Sequence, residues 1–174
     1  MTIHSEHPFA EPESSRDPGR RLRGRLGSTV ALLTAGSGAS RAGLTVSSLM
    51  VAHGDPGQVL ALVDPDSDLA EEVTASGRFV VHLLSWQHRD LADAFAGTAP
   101  APGGVFKLGS WTESAWGPVL DGVSAWAGAR VSGESREVGW SLLLDGVLEE
   151  IHLGDEGQPL VHRRGRYVRP PESS

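Results

Sequence analysis

The sequence predicts a mainly β protein: a barrel of six to seven strands with two short helices inserted. Three observations predict it. Short β-branched and apolar runs recur along the chain, tight glycine- or proline-bearing connections separate most of them, and only two segments carry helical start and stop signals. The 174 residues suffice for one domain with a usable core.

Residues 1–19, with three prolines, several acids and no apolar run, are expected to form a disordered tail or an arm onto a partner subunit. They are not expected to serve as a secretory signal or membrane span. The domain is expected over 20–169, with 170–174 as a frayed end. Thr29 to Ala35 is the first strand, and Gly36-Ser37-Gly38 turns the chain into a return strand over Ala42 to His53. On that strand Leu44, Val46, Ser48 and Met50 share one face, and Thr45, Ser47, Leu49 and Val51 the other. Asp55-Pro56-Gly57 makes a turn, and Gln58 to Val63 a third strand.

A helix is expected from Asp68 to Ser76, where Asp68 and Glu71 have capping-box spacing, Leu69 and Val73 pair four apart, and Gly77 stops it. Phe79 to Leu84 reads as a buried strand. Ser85 suits the cap of a second helix, with Leu91 and Phe95 turned inward. Gly97 to Gly117 is a long loop anchored by Phe106, Trp111 and Trp116, the kind that often serves as a lid or binding segment. Strands over Ser124–Val131 and Val138–Ile151 follow, the second with a bulge or bend expected at Gly146. A short strand within Leu160–Val168 closes the chain.

Composition excludes several functions. A net charge of −7 without a dominant basic patch argues against nucleic acid as partner. The absence of cysteine removes disulfides, thiolate metal sites and cysteine nucleophiles together. The seven histidines show no metal-ligand spacing, so no metal is expected. Gly36-Ser37-Gly38 fails as a dinucleotide fingerprint, because Arg41 stands at the third glycine position and a strand follows. Ser47-Ser48 lacks a hydrolase elbow. Two basic clusters remain: Arg20, Arg21, Arg23 and Arg25 near the start, and His162, Arg163, Arg164, Arg166 and Arg169 near the end. They read as solvated flanks unless the fold brings both ends to one anion.

What survives is an ordered series: Gly43-x-Thr45-x-Ser47-Ser48, Asp55-Pro56, Ser76-Gly77-x-Phe79, and Leu91-Ala92-x-x-Phe95-Ala96. Gly117-Pro118-x-Leu120, Pro159-Leu160 and Gly165-x-Tyr167 extend it. Over roughly residues 26–168 this series resembles the flavin reductase-like, FMN-binding split-barrel family. The resemblance implies a split β-barrel, FMN as cofactor (with FAD or a deazaflavin as alternatives), NAD(P)H as second ligand, and a cytoplasmic homodimer. It implies that Thr45, Val46, Ser47 and Ser48 line the flavin, that Leu62 and Val63 lie beside it, and that His82, Leu84 and Ser85 pass its pyrimidine edge. Ser67 with the amides of its helix, Arg41, or a terminal arginine cluster would meet the phosphate. Trp111, Trp116, Trp126 and Trp140 are expected either in a subunit interface or in the chain's own barrel.

The implied activity is that of an NAD(P)H:flavin reductase, one form of which is the reductase component of a two-component monooxygenase; no catalytic residue is assigned. Three departures from the family's pattern bear on this. Asp64-Pro65-Asp66-Ser67-Asp68 stands where the family carries small hydroxyl or basic residues. Gly139-Trp140-Ser141 stands where it carries Gly-Asp-His, the histidine being associated with the nicotinamide substrate, and His82 replaces an asparagine. The first two favour, as alternatives, a non-catalytic flavin carrier or sensor, or a cofactor-free dimeric scaffold, whereas His82 would either hydrogen-bond the flavin edge or merely pack.

Overall fold

Asp17 caps the first helix, its Oδ1 accepting the amides of Gly19 at 2.8 Å and Arg20 at 3.2 Å. This helix, α1 (Pro18–Arg25), is additional to the two expected. Its residues are all unburied and carry no apolar stripe, so periodicity could not reveal it. The structure, a computed structural model, describes residues 17–169 and 171. Of the ends expected to be disordered, 1–19 and 170–174, residues 1–16, 170 and 172–174 lie outside the described residues, while Asp17 to Gly19 cap and open α1. No helix among the described residues is long and apolar enough to cross a membrane.

The strands begin with β1 (Ser28–Thr29), β2 (Ala31–Ala35), β3 (Ala42–Val46), β4 (Met50–Ala52) and β5 (Gln58–Val63). Helix α2 (Asp68–Ser76), strand β6 (Arg78–Leu83) and helix α3 (Arg89–Phe95) follow. Then come β7 (Trp111–Glu113), β8 (Pro118–Leu120), β9 (Ala125–Val131), β10 (Arg136–Val138) and β11 (Ser141–Leu153). The hairpin β12 (Val161–Arg163) and β13 (Arg166–Val168) ends the series.

Seven strands form one curled antiparallel sheet in the order β3-β2-β6-β9-β11-β5-β4, with β10 paired onto β11. The fold is thus the mainly β half-barrel that the sequence implies. The expected return strand Ala42–His53 is two strands instead. β3 pairs with β2, whereas β4 pairs with β5 at the other edge of the sheet. Residues 47–49 therefore cross from one edge to the other and close the curl. Alternation continues through them, so local pattern gave no sign of the crossing.

Helix α2 spans the expected Asp68–Ser76, but its cap is Ser67 rather than Asp68, accepting the Ala70 amide at 3.2 Å. It ends as expected at Gly77 in the left-handed conformation, φ 70°. The bulge of β11 falls between Leu148 and Glu150, not at Gly146. Gly146 has another role: a Cβ there would lie 2.7 Å from the Phe79 ring, so only glycine lets that ring cross the strand.

Strand β2 is buried on both faces, and two cores result. Inside the curl, Ala31, Leu33, Phe79, Val81 and Leu144 pack under Leu69 and Val73 of α2. On the outer face, Val30, Leu32, Leu84 and Leu160 pack under Ala92 and Phe95 of α3. The long 97–117 segment covers this second core. Phe106 and Trp111 meet Phe95 with ring centroids 5.1 and 5.6 Å away. Part of the segment folds back as β7 on β8. Of the four tryptophans named above, Trp111 and Trp126 pack against the chain's own core and Trp116 donates to Glu149 at 2.7 Å. Trp140 stands at the tip of the β10–β11 turn, 93% exposed.

Candidate functional site

The Gly-x-Thr-x-Ser-Ser segment divides between structural and ligand-facing work. Gly43 lets α3 approach: a Cβ there would stand 2.5 Å from the Phe95 ring. The Thr45 hydroxyl donates to the Ala92 carbonyl of α3 at 2.7 Å. The Ser48 hydroxyl donates to the Leu62 carbonyl at 2.7 Å and accepts the Leu62 amide at 3.0 Å. It thereby supplies the two bonds that a neighbouring strand would make. Ser47 differs, since among the described residues its hydroxyl has no hydrogen-bond partner.

Ser47 faces a cleft of about 650 Å³ that Thr45 and Val46 also line. The opposite walls come from Trp86 and Arg89 before and within α3, and from His162, Arg166 and Tyr167 of the β12–β13 hairpin. A second hollow of about 380 Å³ shares Arg23, Ser47, His162 and Gly165 with the first and extends it past Ser48 and Leu62 to Arg20 and Leu26 of the α1 region. One continuous groove thus runs from α3 to α1, with the crossing segment 47–48 as its floor. Its volume lies in the range of small-molecule sites.

The segments around α1 and the β12–β13 hairpin are tied together at this groove. β1 pairs with β12, the Arg164 amide donates to the Gly24 carbonyl at 2.7 Å, and Arg163 Nε donates to the Arg25 carbonyl at 3.3 Å. The hairpin turn at Arg164-Gly165 has φ values of 52° and 76°, the pair of left-handed residues that a two-residue turn of this hand requires.

The groove is lined by cations, and His162 and Tyr167 in it are perturbed. Burial lowers the pKa of His162 from its ordinary value and the nearby Arg23 guanidinium lowers it further, while Asp93 works the other way. Tyr167 donates to Asp93 Oδ1 at 2.7 Å, and burial together with that carboxylate raises its phenol above its usual range. The Arg89 guanidinium lies 4.4 Å from the centre of the Trp86 ring and donates to the Trp86 carbonyl at 2.8 Å.

Of the residues expected at the site, Thr45, Val46, Ser47, Ser48 and Leu62 meet in this groove. Others do not. His82 is wholly buried, its Nδ1–H donating to the Leu32 carbonyl and its Nε2 accepting the Leu120 amide, both at 3.0 Å. With both nitrogens engaged and no exposed surface, its ring lines no part of this groove. Val63 and Leu84 line no part of this groove and sit in the two cores. Ser85 bonds with the His88 ring and lines a different hollow with Leu153 and Gln158. Ser67 serves as the α2 cap, and Arg41 is ion-paired with Glu113 above Phe106, in a hollow of its own with Lys107.

The residues added by the structure are Trp86, Arg89 and Asp93, which carried no sequence signal. Arg20, Arg23, His162 and Arg166 were visible only as two separate basic clusters.

The arrangement fits a flat ring system carrying a polar edge and a phosphate. Val30, Val46 and Trp86 supply apolar wall, Ser47 a free hydroxyl, and the arginines positive charge. The family model described as "Flavin reductase like domain" matches residues 23–170. Among curated proteins, the chain is 30% identical over 145 residues to the 4-hydroxyphenylacetate 3-monooxygenase reductase component of Pseudomonas aeruginosa, covering 82% of this chain and 85% of that protein. It is 32% identical over 161 residues to the NADH-dependent FMN reductase AsuE2 of Streptomyces nodosus subsp. asukaensis, covering 90% and 85%. Among solved structures, the NADH:FAD oxidoreductase SgcE6 of Streptomyces globisporus superposes with a TM-score of 0.80 at 22% identity, over 94% of this chain and 98% of that one.

Proposed function

The chain belongs to the flavin reductase-like family, and from that premise we propose that it is an NADH-dependent flavin reductase using FMN, in the manner of the reductase component of a two-component monooxygenase. The observation that carries the reading is the groove floored by Ser47, with apolar wall on one side and converging cations on the other. When bound, a flavin supplies the hydride acceptor for a dihydronicotinamide. The chain's part is to hold the nucleotide: Ser47 offers a hydroxyl to its polar edge, and Val46 and Trp86 keep water from one face. No side chain need act as proton donor, which agrees with a site holding Asp93 and Tyr167 bonded to each other.

We place the enzyme in the cytoplasm as a homodimer. Met50, Val51, Ile151 and Leu153, on β4 and the far half of β11, are more than half exposed and favour burial against a second copy. Sedimentation at micromolar concentration checks this, and a monomer there overturns it.

The test of function is a titration of the flavin-free protein with FMN, followed by NADH. Binding with bleaching of the flavin band is the expected result, and failure to bind overturns the reading. Binding without bleaching favours a flavin carrier, a second reading prompted by Trp140, which stands exposed where the family's pattern carries Asp-His.

A further inference from the structure

A nucleotide brought to Ser47 carries a phosphate, and the fold offers three places for it. The start of α2 is acidic: Asp64, Asp66 and Asp68 surround it, and the Ser67 hydroxyl already donates to the Asp64 carbonyl at 2.7 Å. Arg41 directs both its Nε and a terminal nitrogen at Glu113. The third place is the groove itself, where Arg23, His162 and Arg166 line the same space as Ser47, and Arg20 continues that lining.

Among the described residues the ion pairs are Arg41–Glu113 and Arg130–Glu149, so these groove arginines are held together without a carboxylate partner. Asp93, the acid beside them, is bonded to Tyr167. Like charges placed together repel, and the arrangement persists because the backbone fixes both sides of it. The Arg164 amide on Gly24 and the β1–β12 ladder tie the hairpin to α1 whatever the side chains prefer. A preset group of cations beside a free hydroxyl is a receptor for a phosphate ester.

We propose that Arg23, His162 and Arg166, with Arg20 at the rim, bind the phosphate of the nucleotide that occupies the groove. The identity of that nucleotide rests on the flavin reductase reading, and two sources share the chemistry: the phosphate of FMN and the pyrophosphate of the dinucleotide.

The test compares FMN with riboflavin, and NADH with a dihydronicotinamide lacking pyrophosphate, on the full chain and on its Arg23→Gln/Arg166→Gln double variant. If the receptor takes the flavin phosphate, the variant's preference for FMN over riboflavin falls about tenfold or more while riboflavin affinity holds. If it takes the dinucleotide, that preference holds and KM for NADH rises by about the same factor, with the truncated donor unaffected. No movement in either ratio overturns the proposal. Arg136→Gln on β10, away from the groove, controls for lost charge, and circular dichroism confirms that the variants fold. Should the wild-type chain bind no flavin, the function proposed above fails, yet the receptor is still tested by calorimetric titration with inorganic pyrophosphate. Binding by the wild type that the double variant loses supports the receptor; equal heats from both overturn it.

Discussion

Ser48, in the crossing between β3 and β4, is tied to Leu62 of β5 by its side chain: the serine hydroxyl gives one hydrogen bond to the leucine carbonyl at 2.7 Å and takes one from its amide at 3.0 Å. A side chain thus completes what backbone pairing leaves open between β3 and β5. Ser48→Ala leaves both Leu62 groups without their partner. Its expected cost is about 1–3 kcal/mol, read from urea unfolding of the two proteins.

Thr45 and Ser47 share a motif but not a role. Thr45→Val removes the bond to the Ala92 carbonyl and is expected to lower stability by about 1 kcal/mol while FMN affinity holds. Ser47→Ala is expected to do the reverse, leaving the melt in place and weakening FMN by about 1 kcal/mol. Paired melts and flavin titrations check the exchange. If both variants lose affinity equally, the division drawn between the two hydroxyls is wrong.

Gly43 is required by a ring. Gly43→Ala puts a methyl 2.5 Å from Phe95 and should cost about 1–3 kcal/mol. Phe95→Leu in the same chain should cost less than the sum of the two changes, because the methyl then meets a smaller neighbour. A double-mutant cycle in urea measures the coupling, and simple additivity would remove the contact as the cause.

His82 makes stability depend on acidity. Its pKa is lowered from 6.5 to about 4, chiefly by burial, with the Leu32 carbonyl acting in the opposite sense and His88 adding to the fall. Between those values the unfolded chain binds the proton and the folded chain does not. Stability from this group is therefore complete above about pH 6.5 and declines as pH falls towards 4, by about 3 kcal/mol at most. Burial lowers His88 and His162 too, so they act in the same direction. Urea midpoints from pH 4.5 to 7 should drop with acid, and His82→Asn should flatten the slope by up to one proton. An unchanged slope in the variant would assign the effect elsewhere.

The elements legible in the sequence are those with local causes. The β2 run and the helix Asp68–Ser76 are set by side-chain period and by Gly77, all within a few residues of one another. What escaped has distant causes. The break after Val46 follows from which edge Met50 must meet, and Gly146 is explained by Phe79, sixty-odd positions earlier in the chain. His82 sits in a strand whose periodicity marks it as buried, but whether its ring touches a ligand or the Leu120 amide is decided by a segment closing from far along the chain. The family resemblance pointed to Thr45 to Ser48, and all four line the groove. It could not say which of those hydroxyls the fold itself would use.

The groove's walls come from opposite ends of the domain, Arg23 on one side and Arg166 and Tyr167 on the other. On a ribosome the site therefore cannot exist until the last hairpin has emerged and paired with β1, long after the strands that floor it are made. A ligand that bridges the two sides acts as a clasp between α1 and the β12–β13 hairpin. It should raise the unfolding free energy in proportion to the logarithm of its concentration above Kd, and should slow fraying of the terminal hairpin before any other part of the barrel.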